Sequence, residues 1–306
     1  MNITFCCTDT KAEPWLAGLR AAFPDAQVAA WQPGAPLADY AVVWAPPQAF
    51  LDEQQGIKAL FNIGAGVDAL LKSRLPAGAR VVRLDDAGMS VQMAEYVCHA
   101  VIRHFREFDG YEADVAQGKW SFRKPQDRAD FPVAVLGLGV LGERVAKSLA
   151  LFDFPVHGWS RSPKVVPGVL CHAGASGLQD CLAASRVLVN LLPLTPDTEN
   201  ILNRETLSRL LPGGYLINVA RGAHLVEQDL LDLLASGHLA GATLDVFRTE
   251  PLPAEHPFWK HERITVTPHT SARTLRHESI AQIVGKIAAL ERGETVPGIV
   301  DAARGY

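Results

Sequence analysis

The apolar residues of this chain form two alternating patterns: short β-branched runs, and longer segments with apolar residues at helical spacing. Segments of the second kind, such as Trp15–Ala22 and Val67–Ser73, predict amphipathic helices. The runs in the N-terminal third predict strands at Ile3–Cys7, Gln27–Trp31, Ala41–Trp44, Ala59–Ile63 and Val81–Leu84. Strands that alternate with helices in this way are typical of a parallel sheet.

The alternation resumes after a long helical segment, predicted as one helix from Ser90 to about Gly110, and a polar loop, Lys119–Asp130. A final amphipathic helix is predicted over Arg273–Arg292. The strands predicted in between are Pro132–Leu136, Val156–Trp159, Val187–Leu191, Gly214–Asn218, Ala242–Asp245 and Ile264–Thr267. The predicted fold class is therefore α/β, with two Rossmann-like or flavodoxin-like parallel-sheet domains and a ligand-binding cleft between them.

Composition and charge narrow the class of protein. With 306 residues, 48% hydrophobic and 20% charged, the chain is long enough for two domains and ordinary for a globular protein. A net charge of −4 gives no basic surface field, so we expect no nucleic-acid partner. The apolar runs are too short to span a bilayer and the N-terminus lacks a signal-peptide pattern, so we expect no membrane association. The five cysteines are scattered in apolar contexts, which favours buried thiols in a cytoplasmic protein over disulfides or a metal site.

A glycine-rich turn is the first candidate for chemistry. The segment AVLGLGVLGERVA places Gly137, Gly139 and Gly142 in G-x-G-x-x-G spacing, with Val140 and Leu141 between the last two glycines. A strand is predicted before this turn and a helix after it, so the helix N-terminus would offer its N–H groups to a pyrophosphate. Tight packing of helix on strand would explain the same glycines, but the surrounding pattern favours a dinucleotide site.

The end of the next strand, HGWSRSPK, indicates which dinucleotide binds. Enzymes that use NAD usually have an acidic residue about 20 residues after the glycines, for the ribose 2′-hydroxyl. This chain instead has Ser160, Arg161, Ser162 and Lys164 in that region. Hydroxyl and cationic side chains suit a 2′-phosphate, which an acid would repel. We therefore expect NADPH to be preferred, with NAD as an alternative cofactor and a solvated loop as the structural alternative.

Three charged residues follow later strands, at the sheet edge where α/β proteins bind ligands. Arg221 ends the segment INVARG, Glu250 lies in LDVFRTEPLP, and His269 lies in ITVTPHTSA. Each one alone has a plain structural explanation, as a surface arginine, a loop glutamate or a hydrogen-bonded histidine. Together with GLGVLG and NLLPLTPDTEN, in this order, these fragments resemble the D-isomer-specific 2-hydroxyacid dehydrogenase family over nearly the whole chain. The fragments ADYAVVWAPP, NIGAGVDALL and DAGMSVQMAEYV are similar to the bacterial glyoxylate/hydroxypyruvate reductase branch of that family.

The resemblance implies a role for each of these residues. Arg221 would bind the substrate carboxylate and polarise the ketone, because its planar fork matches a pair of oxygens. His269 would donate a proton to the ketone oxygen. Glu250 would pair with the imidazole, fix its orientation and favour its charged form. Within the family fragments, the residues expected to contact the cofactor are Leu192, Pro193, Thr198, Val219, Ala220, Arg221, Asp245 and His269.

Substrate contacts are expected in the N-terminal third. The loop GAGVD would present the N–H groups of Ala65 and Gly66 to the carboxylate, with a simple strand-to-helix turn as the alternative. Trp44 is interpreted with equal weight as a pocket wall or a core residue, and Met89 as pocket lining or hinge packing. No metal site is expected, because the remaining candidate histidines lack ligand spacing: His256, His261 and His277.

The predicted activity is NADPH-dependent reduction of a small 2-keto acid, glyoxylate to glycolate or hydroxypyruvate to D-glycerate. The resemblance assigns residues 1–96 with 278–306 to a substrate-binding lid domain and residues 97–277 to a dinucleotide-binding domain. It also implies a homodimer, with Trp120 as a contact. Two alternatives stay open: a dehydrogenase for a bulkier 2-keto acid, and a dinucleotide-sensing protein like the corepressors of the same fold. The second is less favoured because the chain lacks a basic patch or long disordered tail for recruiting partners.

Overall fold

The computed structural model describes residues 1–301 and 305, which form two compact α/β units. One unit contains Met1–Met89 and the chain from Arg273 onward, and the other contains Ser90–Ala272. The strands are β1 (Asn2–Cys7), β2 (Gln27–Ala30), β3 (Tyr40–Trp44), β4 (Ala59–Asn62), β5 (Arg80–Arg83), β6 (Val133–Leu136), β7 (Val156–Ser160), β8 (Leu170–Ala173), β9 (Val187–Asn190), β10 (Gly214–Asn218), β11 (Leu239–Leu244) and β12 (Ile264–Val266). The α-helices are α1 (Glu13–Ala22), α2 (Gln48–Glu53), α3 (Asp68–Leu71), α4 (Met89–Phe105), α5 (Phe108–Ala116), α6 (Val140–Leu151), α7 (Gly174–Ala183), α8 (Arg204–Leu207), α9 (Glu227–Ala235) and α10 (Arg276–Glu291).

The first unit is a parallel five-stranded sheet in the order β2-β1-β3-β4-β5. Its central strands are buried on both faces, which explains their continuous apolar sequences. Helices α1 and α10 cover one face, where Leu19 and Ile283 are fully buried. Helix α2 contributes Phe50 and Leu51 to the opposite face. The result is a three-layer sandwich with its loops at the carboxyl ends of the strands.

The second unit is a parallel seven-stranded sheet in the order β12-β11-β10-β9-β6-β7-β8. Helices α4 and α6 pack on one face through apolar side chains such as Val101 and Val145. Helices α7 and α9 pack on the other face through Cys181 and Leu230. The chain order reverses between β6 and β9, and such a reversal opens a crevice for ligands at the carboxyl ends of the strands. The predicted α/β class with two parallel-sheet domains is confirmed.

Two predictions about single elements were wrong. Strand β8 was not predicted, because Leu170–Ala173 is a short edge strand whose residues are all at least partly exposed. The single helix predicted from Ser90 to about Gly110 is interrupted, since Glu107 adopts a left-handed backbone with φ of 54°. The apolar stripe of α4 ends at the buried Phe105, and α5 has no fully buried residue to continue it.

Among the described residues, none of the helices combines the length and apolar character needed to cross a membrane.

Candidate active site

The glycine turn lies at the carboxyl end of β6, beside the point where the strand order reverses. Gly137 has a left-handed backbone with φ of 95°, which a residue with a side chain rarely adopts. A Cβ atom on Gly142 would lie 1.9 Å from the carbonyl oxygen of Gly137, so α6 can pack this close only with glycine there. Gly139 caps α6, which begins with Val140 and Leu141. The N–H groups of the first turn of α6 therefore form an anion site of the kind that holds a pyrophosphate.

The residues after β7 form a turn next to this glycine turn. The Ser160 hydroxyl donates a hydrogen bond of 2.8 Å to the Ser162 carbonyl oxygen, so Ser160 shapes the turn. The Lys164 ammonium donates to the carbonyl oxygen of Leu138, which lies between the first two glycines. Arg161 is exposed at the tip. The structure therefore brings the cation Lys164 to the glycine turn and leaves Arg161 at the surface, an arrangement that fits a phosphate on the adenosine ribose.

The loop after β9 is braced by its own side chains. The Thr198 hydroxyl donates to the Pro193 carbonyl oxygen at 2.7 Å and accepts from the N–H of Thr195 at 2.9 Å. Leu192 is buried, whereas Pro193 is exposed. The loop begins beside the glycine turn, since a Cβ atom on Gly137 would lie 2.8 Å from the Leu191 carbonyl oxygen.

Arg221 lies just beyond β10, after the buried residues Val219 and Ala220. Its guanidinium donates to the Ala220 carbonyl oxygen at 2.7 Å. The next residue, Gly222, packs directly against the backbone after β11, since a Cβ atom there would lie 1.8 Å from the carbonyl carbon of Phe247. This contact brings the Arg221 loop next to the loop that bears Glu250.

Glu250 and His269 form a hydrogen-bonded pair. Glu250 Oε2 lies 2.7 Å from His269 Nδ1, and Glu250 Oε1 accepts from the N–H of Phe247 at 2.9 Å. Burial raises the pKa of Glu250, but the hydrogen bonds from His269 and Phe247 and the charges of His269 and Arg221 outweigh it and leave that pKa below its usual value. An ionised carboxylate only accepts hydrogen bonds, so Nδ1 bears a proton. Nε2 is then the ring nitrogen that can deliver a proton to a substrate.

Asp245 holds the turn that presents His269. This aspartate is fully buried, and its carboxylate accepts from the Thr267 hydroxyl at 2.6 Å and from the N–H groups of Thr270 and Ser271 at 2.8 Å each. The N–H of His269 donates to the Asp245 carbonyl oxygen at 2.8 Å. These bonds hold His269 in a left-handed backbone with φ of 50°. Asp245 therefore positions the imidazole, and its predicted contact with the cofactor stays a prediction.

The predicted substrate residues of the first unit lie together. The Trp44 ring covers Gly64, where a Cβ atom would lie 2.1 Å from Trp44 Cζ3. The buried Asn62 amide donates to the carbonyl oxygens of Gly64 and Gly66 at 2.9 and 3.1 Å. This leaves Ala65 partly exposed at the loop tip. Trp44 is itself partly exposed and packs on the core, so it has features of both interpretations.

Other sequence candidates have ordinary surroundings. Met89 is buried at the start of α4, and the His277 side chain is 79% exposed beside Glu278. His256 contacts Glu227 at 3.3 Å, and His261 accepts from the N–H of Arg263 at 3.2 Å. Within the described ranges, no group of three or more histidine, cysteine, aspartate or glutamate side chains could hold a metal ion.

The sequence did not indicate which residues hold the His269 turn and the Arg221 loop in place. Thr267 donates to Asp245, so its oxygen must accept the proton of the Tyr96 hydroxyl, 2.5 Å away. Burial raises the pKa of Tyr96 to about 12, which keeps this donor protonated. Gly222 was missed as well, although a glycine directly after a predicted functional arginine is a signal for close backbone contact. Tyr96 had no such signal, because its partner lies 171 residues away.

Comparison with known proteins agrees with this geometry. The family model described as D-isomer specific 2-hydroxyacid dehydrogenase, NAD binding domain, matches residues 98–271. A glyoxylate/hydroxypyruvate reductase A from Serratia proteamaculans is 50% identical, with 100% of each chain covered. A protein of the same name from Yersinia enterocolitica is 46% identical, again with 100% of both chains covered.

Solved structures extend the likeness to three dimensions. A D-isomer specific 2-hydroxyacid dehydrogenase from Xanthobacter autotrophicus, in complex with NADPH and MES, superposes with a TM-score of 0.94 at 39% identity. An NADPH-dependent glyoxylate/hydroxypyruvate reductase from Sinorhizobium meliloti, in complex with NADP and sulfate, gives 0.93 at 35% identity. Each comparison covers 100% of this chain and 99% of the other.

Proposed function

The chain belongs to the D-isomer-specific 2-hydroxyacid dehydrogenase family, and from this premise we propose that it reduces glyoxylate and hydroxypyruvate with NADPH. The observation that carries the proposal is the 2.7 Å contact between Glu250 and His269, with the Glu250 loop packed directly against the Arg221 loop. The names of the full-length relatives support the same two substrates.

Each residue has a separate role in the reduction of the ketone. NADPH, when bound, supplies the hydride that adds to the keto carbon. His269 Nε2 donates its proton to the ketone oxygen, so the product is the 2-hydroxy acid. Glu250 accepts the Nδ1 proton, which holds the ring and leaves Nε2 as the proton donor. Arg221 binds the substrate carboxylate through its planar fork and draws electron density from the ketone.

The groups proposed to hold NADPH are those described around the glycine turn. The first turn of α6 would bind the pyrophosphate, and Arg161 with Lys164 would bind the 2′-phosphate. In the first unit, we propose that the N–H groups of Ala65 and Gly66 contact the substrate carboxylate. We also propose that the Trp44 ring favours substrates with short side chains.

A rate screen tests the function. Initial rates with 2-keto acids of increasing side-chain size, each with NADPH and NADH, should be highest for glyoxylate or hydroxypyruvate with NADPH. Preference for a bulky acid would support the alternative dehydrogenase. NADPH binding without turnover of any acid would support a dinucleotide sensor.

Arg161 should determine much of the cofactor preference. Replacing Arg161 with alanine removes one charge-assisted contact to the 2′-phosphate, so kcat/KM for NADPH should fall about ten- to a hundredfold. The value for NADH should change little, because NADH has no phosphate at this position. The matched control is Arg209→Ala, which removes an exposed arginine paired with Glu205. Equal efficiency of the wild type with both cofactors would contradict this assignment.

The pKa of Glu250 predicts how reduction fails in acid. Because this pKa lies below the ordinary 4.5, the carboxylate is ionised at every pH above that value. Its contribution to folding and to holding His269 is therefore complete there, and it is lost as pH falls through the lowered value. We expect kcat for reduction to stay level as pH is lowered to 4.5 and to decline only below it. A decline that begins well above this pH in a folded enzyme would contradict the assignment.

The variant Glu250→Gln tests the Glu250–His269 pair by replacing the carboxylate with an uncharged amide. An amide has one acceptor oxygen where the carboxylate has two, so it cannot accept from both His269 and Phe247 at their separate positions. Either the imidazole loses its acceptor at Nδ1 or the Phe247 N–H loses its own, so kcat for reduction should fall. The exposed Glu255, changed to glutamine, is the control and should keep the wild-type kcat.

We further propose that the protein is a homodimer joined through the second unit. Large apolar side chains are exposed along α5 and the loop that follows, with Val115 at 75%, Phe122 at 82% and Trp120 at 104% exposure. Exposed apolar side chains grouped in one short segment of the chain suit burial in a self-complementary interface. Sedimentation should give a dimer for the wild type and a monomer for Trp120→Asp. A monomeric wild type at micromolar concentration would exclude the dimer.

The five cysteines are unpaired thiols, which supports a reducing compartment, and we propose the cytoplasm.

A further inference from the structure

Three polar side chains are fully buried where β9 and β10 end. Asn190, Asn218 and His224 each have 0% exposure, and none of them takes part in the proposed proton transfer. The Asn190 amide nitrogen lies 3.0 Å from Asn218 Oδ1 and 3.0 Å from His224 Nδ1. Buried polar groups are costly unless they are satisfied, so this cluster needs an explanation.

Three backbone groups determine the orientation of the two asparagine amides. The N–H of Leu192 donates to Asn190 Oδ1 at 3.3 Å, and the N–H of Ala220 donates to Asn218 Oδ1 at 3.3 Å. The Asn218 amide donates to the Arg221 carbonyl oxygen at 3.0 Å. Both asparagine amides are thereby oriented, and Asn190 can offer His224 only a proton.

His224 must then accept at Nδ1, and its single ring proton lies on Nε2. That nitrogen is 3.3 Å from the Pro193 carbonyl oxygen, a group that can only accept. The ring is therefore neutral and has one tautomer. It joins the Pro193 loop after β9 to the Arg221 loop after β10.

We propose that His224 is a positioning residue that sets the Pro193 loop and the Arg221 loop relative to each other. The Nε2–H group of His224 donates to the Pro193 carbonyl oxygen and so holds the loop in which cofactor contacts are proposed. The Nδ1 atom of His224 accepts from Asn190, which also donates to Asn218. Asn218 in turn donates to the Arg221 carbonyl oxygen. The inference rests on the proposed function only in taking Pro193 as a cofactor contact and Arg221 as the carboxylate anchor.

The two nitrogens can be tested separately with amide side chains. A glutamine at 224 places its amide nitrogen near the Nε2 position, so it keeps the donor to Pro193. An asparagine places its amide oxygen near the Nδ1 position, so it keeps the acceptor for Asn190. Leucine at 224 keeps the approximate volume and removes both contacts. The matched control is His104→Leu, which removes another largely buried histidine, stacked on Tyr215 and outside the cluster.

The experiment measures the Kd of NADPH by fluorescence and the KM of glyoxylate in the same preparations, with thermal melts to report folding. His224→Leu should raise both constants about tenfold, the effect of one lost hydrogen bond at each loop. His224→Gln should restore the NADPH constant but not the KM, and His224→Asn should do the reverse. The His104→Leu control should leave both constants at wild-type values.

Two results would overturn the inference. Lower melting temperatures with unchanged Kd and KM in all three His224 variants would leave the cluster with a purely structural role. Equal shifts of both constants in the glutamine and asparagine variants would show that the two nitrogens do not act on separate loops. If His224→Leu does not fold, His224→Gln and His224→Asn still test whether each ring nitrogen acts on its own loop. If the wild type reduces no 2-keto acid, that failure belongs to the proposed function, and the NADPH constants of the variants still test the Pro193 contact.

Discussion

Replacing His269 with alanine should lower kcat for glyoxylate reduction roughly a hundred- to ten-thousandfold, the usual contribution of a positioned general acid. The Glu250 carboxylate at 2.7 Å requires a proton on Nδ1 and leaves Nε2 as the donor to the ketone. Alanine removes that donor. The backbone bonds of the turn run through Asp245, Thr270 and Ser271, so the fold should survive.

The measurement must distinguish a lower catalytic rate from a smaller amount of folded enzyme. NADPH binding should be titrated first, and kcat expressed per binding site. The control His277→Ala removes a histidine whose side chain is 79% exposed and should leave kcat unchanged. Near-normal turnover in a soluble, NADPH-binding His269→Ala enzyme would show that this histidine is not the acid.

Replacing Arg221 with alanine should have the second large effect, on kcat/KM for the 2-keto acid. A planar guanidinium gives a carboxylate two charge-assisted hydrogen bonds, each worth roughly 1.5–3 kcal/mol, so their loss should cost on the order of a hundred- to ten-thousandfold. KM should rise, because the anchor is lost in the ground state as well as in the transition state. The variant Arg221→Lys keeps the charge but not the fork and should recover only part of the loss.

The exposed Arg209, changed to alanine, is the matched control for Arg221 and should change neither constant. The Kd of NADPH, measured in parallel, reports whether the loop after β10 has kept its place. An Arg221→Ala enzyme with unchanged KM for glyoxylate would remove Arg221 as the carboxylate anchor.

Local spacing in the sequence was sufficient for the fold class and for the glycine turn. Parallel strands buried on both faces must be short apolar runs, and the helices between them must be amphipathic, so both patterns are visible along the chain. The turn at Gly137 and Gly142 could also be predicted, because the close contact of Gly142 with the Gly137 carbonyl oxygen joins residues only five apart. The absence of an acid near Ser160 is likewise a local feature.

Elements with weak local patterns could not be predicted in the same way. Strand β8 has no buried residue, and its place at the sheet edge comes from pairing with β7. The break at Glu107 depends on where the apolar surface under α4 ends, which is a property of the packed core.

The arrangement of the charged residues was decided by tertiary structure. Arg221, Glu250 and His269 follow three different strands, and only the order of those strands in the sheet brings their loops together. The residues that hold these groups in place, such as Asp245 and His224, make bonds to partners distant in the chain. Hydrogen bonds of this kind depend on distance and direction in space, so they leave no periodic signal in the order of the amino acids.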